Sequence, residues 1–316
     1  MKGFANILAC GLCALATTAC EVEFDFKDLD ADPLFLLDGN IRTEWPDQTT
    51  GNLQMYLYAV PSAAGNREFP EEARCTLKIY RNGDLVITNP DITIQSFYGI
   101  ISDRFPVSPG DEIFMTAESA GFPTASARTV IPEVPPVLED VSFDLEGDNL
   151  KIRFSLEDNA SSDNAYAFSF RTTTSRSVPD DGATGHTLPL IYDSRLDYPA
   201  LDVGPFDVGW EDGYTYYGIF DDSFSGMRRE FEVAAPFEKP SGGEDSYFRI
   251  EIQRIPAERL RYETACADKG SNILGFIGLA PVTFSYTNVT GGSGCFSGAN
   301  VSFSPWMKVE TGNENL

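Results

Sequence analysis

The chain has 316 residues, 42% of them hydrophobic and 12% aromatic, enough to bury a core and to build two domains. Its 48 acidic residues against 23 basic ones give a net charge of −25, which repels phosphate-rich partners and argues against nucleic acid. One histidine, His186, and six cysteines leave little for a zinc site, and a Ser-His-Asp triad would have to use that one imidazole.

The chain opens with MKGFANILACGLCALATTAC, in which Lys2 precedes an apolar run from Phe4 to Ala16. That run is shorter than the roughly 20 residues of a spanning helix and reads as a secretory signal. Small residues before Cys20 have the shape of a lipoprotein cleavage site, although Thr17 stands where Leu is usual. Cys10 leaves too short an apolar run, and Cys13 follows Leu12, which is not small. Residues 1–19 are therefore expected to be a lipoprotein signal peptide, with Cys20 the lipidated residue. Acyl chains there would anchor the protein in a membrane. The acids that follow, in EVEFDF, resemble the surface-export signal of Bacteroidota lipoproteins, which implies the outer membrane and the cell surface. Cleavage after Ala19 without lipid is the competing outcome. Residues 20–33 form an acidic tether. Within it DLDADP begins like a calcium loop, but Pro33 and Gly39 stand where an EF-hand needs Gly and Glu.

Short extended runs follow. In RCTLKIYRNGDLVI, Cys75, Leu77 and Ile79 share a face, and Asn82-Gly83 supplies the two positive-φ residues of a tight hairpin. Pro109-Gly110 marks a turn before EIFMTAE. This spacing of strands and turns predicts a β-sandwich over 34–132. Pro132, Pro135 and Pro136 mark the boundary, and a second β domain is expected over 133–316. There Gly147-Asp148 is a turn, NAYAFSFRTTT and YFRIEIQRI are strands, and residues 175–186 are a long loop. Asp221 and Asp222 are placed in a turn. PAERLRYETACADKG is the one predicted helix, about three turns long, with Pro256 at its start and Gly270 as its stop.

YTNVTGGSGCFSGAN, residues 286–300, raises a choice between a phosphate cradle, a reactive thiol and a turn. No Lys follows a glycine pair at phosphate-loop spacing, and Ser297 stands where a dinucleotide fingerprint needs its third Gly. A reactive Cys295 would need an activating histidine or a helix N-terminus. The stretch therefore reads as glycines that let the backbone approach another strand closely. Outside the cytoplasm thiols pair, so a Cys266–Cys295 disulfide is expected, with Cys75 a buried thiol. Trp210, Tyr214 and Tyr216 are the candidate ligand platform, and the competing assignment puts them in a sandwich core or edge.

FIGLAPVTFSYTNVTGGSGCFSGAN resembles the C-terminal signature of a family of Bacteroidota outer-membrane lipoproteins of unknown function. Pro281, Val282, Asn288, Val289, Gly291, Gly292, Gly294 and Phe296 match it, whereas Thr287 replaces a usual Ser and Cys295 a usual aliphatic residue. PGDEIFMTAES, VIPEVPP, DNAYAFSF and FDDSFSGMRREFEV agree more loosely, in the right order. The resemblance implies an N-terminal immunoglobulin-like domain, a second β domain and genes neighbouring TonB-dependent receptors. It implies no activity. The expected role is non-catalytic: binding or assistance beside a TonB-dependent receptor in nutrient uptake. A structural or adhesive, fimbria-like surface protein is the alternative, and a carboxylate-dependent hydrolase a second. No catalytic residue, metal site or cofactor is expected, with calcium left open because loop acids supply oxygen ligands in plenty.

Overall fold

Alternation of apolar and polar residues sets the architecture, because each strand must bury one face. The computed structural model describes residues 34–60, 72–95, 98–159, 164–174, 186–188, 203–206, 216–238, 245–271 and 286–310. Cys20, Trp210, Tyr214 and almost all of the 175–186 loop lie outside them. The protein is mainly β, with one short helix among the described residues.

Strands β1 (Leu34–Thr43), β2 (Thr50–Val60), β3 (Glu72–Arg81), β4 (Asp84–Gln95), β5 (Tyr98–Pro106), β6 (Glu112–Glu118) and β7 (Ala125–Val130) build the first sandwich. One layer runs β1-β2-β5 and the other β4-β3-β6-β7, and β4 meets β5 only through Gln95 and Tyr98. Phe35, Leu37, Leu53, Met55 and Leu57 of the first layer are buried, as are Leu77, Ile79, Ile113 and Met115 of the second. Cys75 shares the inward face with Leu77 and Ile79, as its spacing predicts. Asn82 and Gly83 have φ of 51° and 90° between β3 and β4, the tight turn expected there.

The second half begins with β8 (Leu138–Glu146) and β9 (Asn149–Glu157), joined through Gly147 at φ 65°. Next come β10 (Asn164–Thr174), β11 (His186–Thr187), β12 (Val203–Phe206), β13 (Tyr216–Phe220), β14 (Arg228–Pro236) and β15 (Ser246–Pro256). Helix α1 (Ala257–Ser271), β16 (Val289–Thr290), β17 (Gly292–Phe303) and β18 (Met307–Val309) complete the order. The sheet β14-β9-β8 packs on the sheet that carries β13-β10-β15. An aromatic cluster fills the space: Phe154 stacks on Phe231 at 4.9 Å between centroids and meets Phe168 at 5.2 Å. Each such ring contributes about 1.5–3 kcal/mol of burial. Asp221 and Asp222 fall in a short 3-10 turn after β13.

Strand pairing runs past the boundary expected at residue 132. β17 pairs in parallel with β1, from Phe35 opposite Gly292 to Arg42 opposite Ala299. Its last residues pair antiparallel with β15, Glu251 opposite Phe303. The Pro-rich stretch between β7 and β8 is free of regular structure, yet it is pinned. Asn300 Nδ2 donates to the Pro132 carbonyl at 2.9 Å and Arg254 Nη1 to the Val134 carbonyl at 3.1 Å.

Glycines make the parallel ladder possible. At Gly294 the backbone has φ 105°, and a Cβ would sit well inside van der Waals distance of the Leu37 carbonyl oxygen. Asn288 then fastens the turn, accepting from Phe296 N at 2.9 Å and donating to Phe296 O at 2.7 Å. Gly294→Ala is expected to destabilise the fold by at least about 2 kcal/mol, seen as a lower urea midpoint at unchanged slope.

Candidate functional site

β15 carries Arg249, Glu251 and Gln253 at alternate positions, so one face of the strand is polar, opposite Phe248, Ile250 and Ile252. Alternation of this kind reads as a solvent-facing row. All three side chains are nevertheless buried, Glu251 completely. Neighbouring strands place partners on the same face: Ser169 of β10 lies opposite Glu251, and Arg171 opposite Arg249. Arg171 makes an ion pair with Glu251, Arg42 of β1 approaches it at 3.5 Å, and Gln253 Nε2 donates to it at 2.9 Å. Arg249 lies over the Phe303 ring at 4.0 Å and the Trp306 ring at 4.4 Å.

Tyr216 belongs to this network. It is fully buried, its hydroxyl donates to Glu251 at 2.9 Å, and Arg171 and Arg42 donate to it at 3.2 and 3.3 Å. An exposed platform using Tyr216 is therefore not formed. The reason is the strand alternation itself: Tyr217 and Ile219 face the aromatic core, which turns Tyr216 to the charged face. Ala165, Ala167 and Ala299 are small on that same face and let Leu260 of α1 pack against Tyr216 and Ile255.

Burial alone would push the Glu251 carboxyl up, but Arg171 and Arg42, with hydrogen bonds from Gln253 and Tyr216, outweigh it. The carboxyl is held below its ordinary 4.5. A carboxylate locked in this way supports structure and is a poor proton donor. A second buried set does similar work. Tyr166 donates to Asp158, Arg254 Nη2 donates to Tyr166 at 2.6 Å, and Asp158 accepts from Gly226 N at 2.9 Å.

The glycine-rich stretch lies beside a cavity of about 420 Å³ walled by β7, the start of α1 and β17. Arg259 bridges helix and sheet there, meeting Asp38 of β1 at 2.8 Å and Glu263 one turn along α1. Cys295 lies on the same wall, opposite Asp38 in the ladder. Burial pushes its thiol up to about 12 despite the neighbouring Arg259 guanidinium. No disulfide joins Cys295 to Cys266; both are thiols. Cys295 is buried on β17 beside Arg259, and Cys266 lies within α1. Cys75 is likewise a buried thiol, raised to about 11 by burial.

A shallower hollow of about 370 Å³ lies over β8, β9 and β14, between Arg153 and Arg228. Arg153 is bonded to Glu232 and Asp144, and Arg228 pairs with Asp140. It is a half-exposed lattice of ion pairs, each worth little. Among the described residues no three His, Cys, Asp or Glu side chains converge as metal ligands would.

Residues 21–303 match the family described as "Domain of unknown function (DUF4249)". The chain belongs to this family. No curated protein matches it. A cytokine receptor complex overlaps at 7% identity and a TM-score of 0.22, covering 86% of this chain and 94% of that one. Red sea bream transglutaminase overlaps at 6% identity and a TM-score of 0.21, covering 86% of this chain and 31% of that one. Likenesses this weak carry nothing about fold or role. Within the family domain, Gly294 permits the close approach of β1 and β17, and Asn288 bonded to Phe296 fastens the turn that leads into β17.

Sequence reading found the glycines but missed Glu251, Arg171 and Arg42, because charge in a strand signals exposure unless a second layer is known to cover it. Glu251→Gln is expected to cost about 3 kcal/mol at neutral pH by leaving Arg171 and Arg42 poorly compensated. The carboxyl is depressed on folding, so its contribution is present above about 4.5 and lost as pH falls through the folded value. The variant should therefore show a flatter acid limb when urea midpoints are compared between pH 3 and 7. Peptide mapping of the native chain should find Cys75 and Cys295 unalkylated by maleimide at pH 8, labelled after unfolding, and no linked Cys266–Cys295 peptide.

Proposed function

We propose that the protein is a lipid-anchored outer-membrane protein of a Bacteroidota cell, with a non-catalytic binding or accessory role beside a TonB-dependent receptor. The observation that carries the anchoring is the leader, a short apolar run ended by small residues and Cys20. Acids directly after Cys20, in EVEFDF, suit export to the surface, and the net charge of −25 suits a solvated exterior. Among the described residues no helix is long and apolar enough to cross a membrane.

The binding half of the reading draws support from the cavity beside α1, which falls in the size range of small-ligand sites, about 300–1,000 Å³. The buried carboxylate, Glu251, is held ionised by paired arginines, which makes it a poor general acid.

Mass spectrometry of the membrane fraction should find an amino terminus at Cys20 carrying acyl chains. Cys20→Ala should leave the leader uncut and remove the acyl mass. An unmodified mature terminus would end the anchoring assignment. Gentle detergent extraction of the tagged protein should bring down a β-barrel receptor, and its repeated absence from anchored material would end the receptor assignment.

A further inference from the structure

We propose that the cavity walled by β7, the start of α1 and β17 takes the ammonium group of an amphipathic amine, with the Glu258 carboxylate as its counter-charge. The inference rests on the binding role above and names the ligand class for it. At about 420 Å³ the cavity has room for a small organic molecule. Val130 is 47% exposed, and with Pro256 it supplies apolar surface for the body of such a molecule.

Two polar side chains on this wall are within reach of a ligand. Glu258 and Tyr286 are both half-buried, so each keeps surface open to solvent. Neither has a hydrogen-bond or ion-pair partner among the described residues. Burial, and next the Glu258 carboxylate, push the Tyr286 hydroxyl up to about 12. Beyond burial, Asp38, Glu263 and Glu258 act on the Cys295 thiol in the same direction. Tyr286 and Cys295 both line the cavity, so the Glu258 charge is felt along its wall.

Charge decides the ligand class. Arg259 is buried and already meets two carboxylates, Asp38 and Glu263, so the three together present negative charge to a ligand of any kind. Arg128 is paired with Glu112. The start of α1 contributes about half a positive charge, less than the full negative charge of Glu258 in its first turn. The balance on the wall is therefore negative, and an anion would be repelled. A neutral molecule would displace the water around Glu258 and leave the carboxylate without a partner. An ammonium replaces that water with a charge-assisted hydrogen bond, and Tyr286 adds a hydroxyl oxygen and a ring for the cation. Arg261, exposed three residues along α1, is the cation with which a ligand would compete.

Benzylamine, charged at neutral pH, and benzyl alcohol have nearly the same shape, so together they test the class. The ¹⁵N-labelled full chain carrying Cys20→Ser should show saturable shifts around residues 128–130, 256–259 and 286–297 with benzylamine, at a Kd of about 1 mM for so small a probe. Benzyl alcohol should bind at least about tenfold more weakly. Glu258→Gln should weaken benzylamine about tenfold and bring it level with benzyl alcohol. Glu146→Gln, which removes an exposed acid at the turn between β8 and β9, should change nothing. Arg261→Gln should tighten benzylamine about two- to threefold by removing the competing cation. Equal binding of the two probes, or equal losses from Glu258→Gln and Glu146→Gln, would overturn the ammonium class and leave the binding role standing. Saturable shifts from neither probe would overturn the cavity as the site, whereas the receptor assignment is judged separately by the detergent extraction.

Discussion

The parallel ladder between Phe35–Arg42 and Gly292–Ala299 ties together strands that lie almost a whole chain apart. Half of β17 completes the layer that begins with β1, and its other end completes the sheet of the second sandwich through β15. Neither half of the molecule is finished without the same twelve-residue strand. That shared strand explains why the glycine-rich signature sits where it does. Two backbones must come close enough for Gly294 to touch the Leu37 carbonyl, and a side chain would hold them apart. It also places Arg259 and Asp38 together, because α1 lies over the face where β17 and β1 meet.

The charged networks follow from the same arrangement. Arg42 comes from the first sandwich, and Glu251, Arg171 and Tyr216 from the second; they meet because β17 brings the sheets edge to edge in one continuous face. Taking these charges out of water costs several kcal/mol per ion, and their mutual attraction roughly offsets it. Their value lies in registry. A slip of β1 along β17 by one residue would turn Arg42 away from Glu251 and leave a buried carboxylate short of a partner.

Much of this architecture was legible in the residues. Asn82-Gly83 and Gly147 announced their turns, Pro256 announced the helix start, and alternation in NAYAFSFRTTT announced a strand. The glycine stretch was correctly legible as a place of close backbone approach. What the residues concealed has one physical cause. Local pattern reports which face of a strand is apolar, and says nothing about what a remote segment will lay over the polar face. Arg249, Glu251 and Gln253 therefore look solvated in sequence and are buried in the fold. Tyr216 looked like a platform for the same reason. The Cys266–Cys295 bridge is not formed, and both residues are free thiols. The cavity, built by β7, α1 and β17 together, has no signature in any one of them.

A strand shared between two sandwiches also sets an order of events. Thr43 is bonded to Asn300, 257 positions later. As the chain emerges residue by residue, the hairpins of the first half can form early, but the seam they await has not yet been made. Closure waits until residues near 300 appear, so the emerging polypeptide stays open and threadable for most of its length. For a protein proposed to reach the outer membrane, that delay is useful: the latch that locks the structure is among the last parts to arrive.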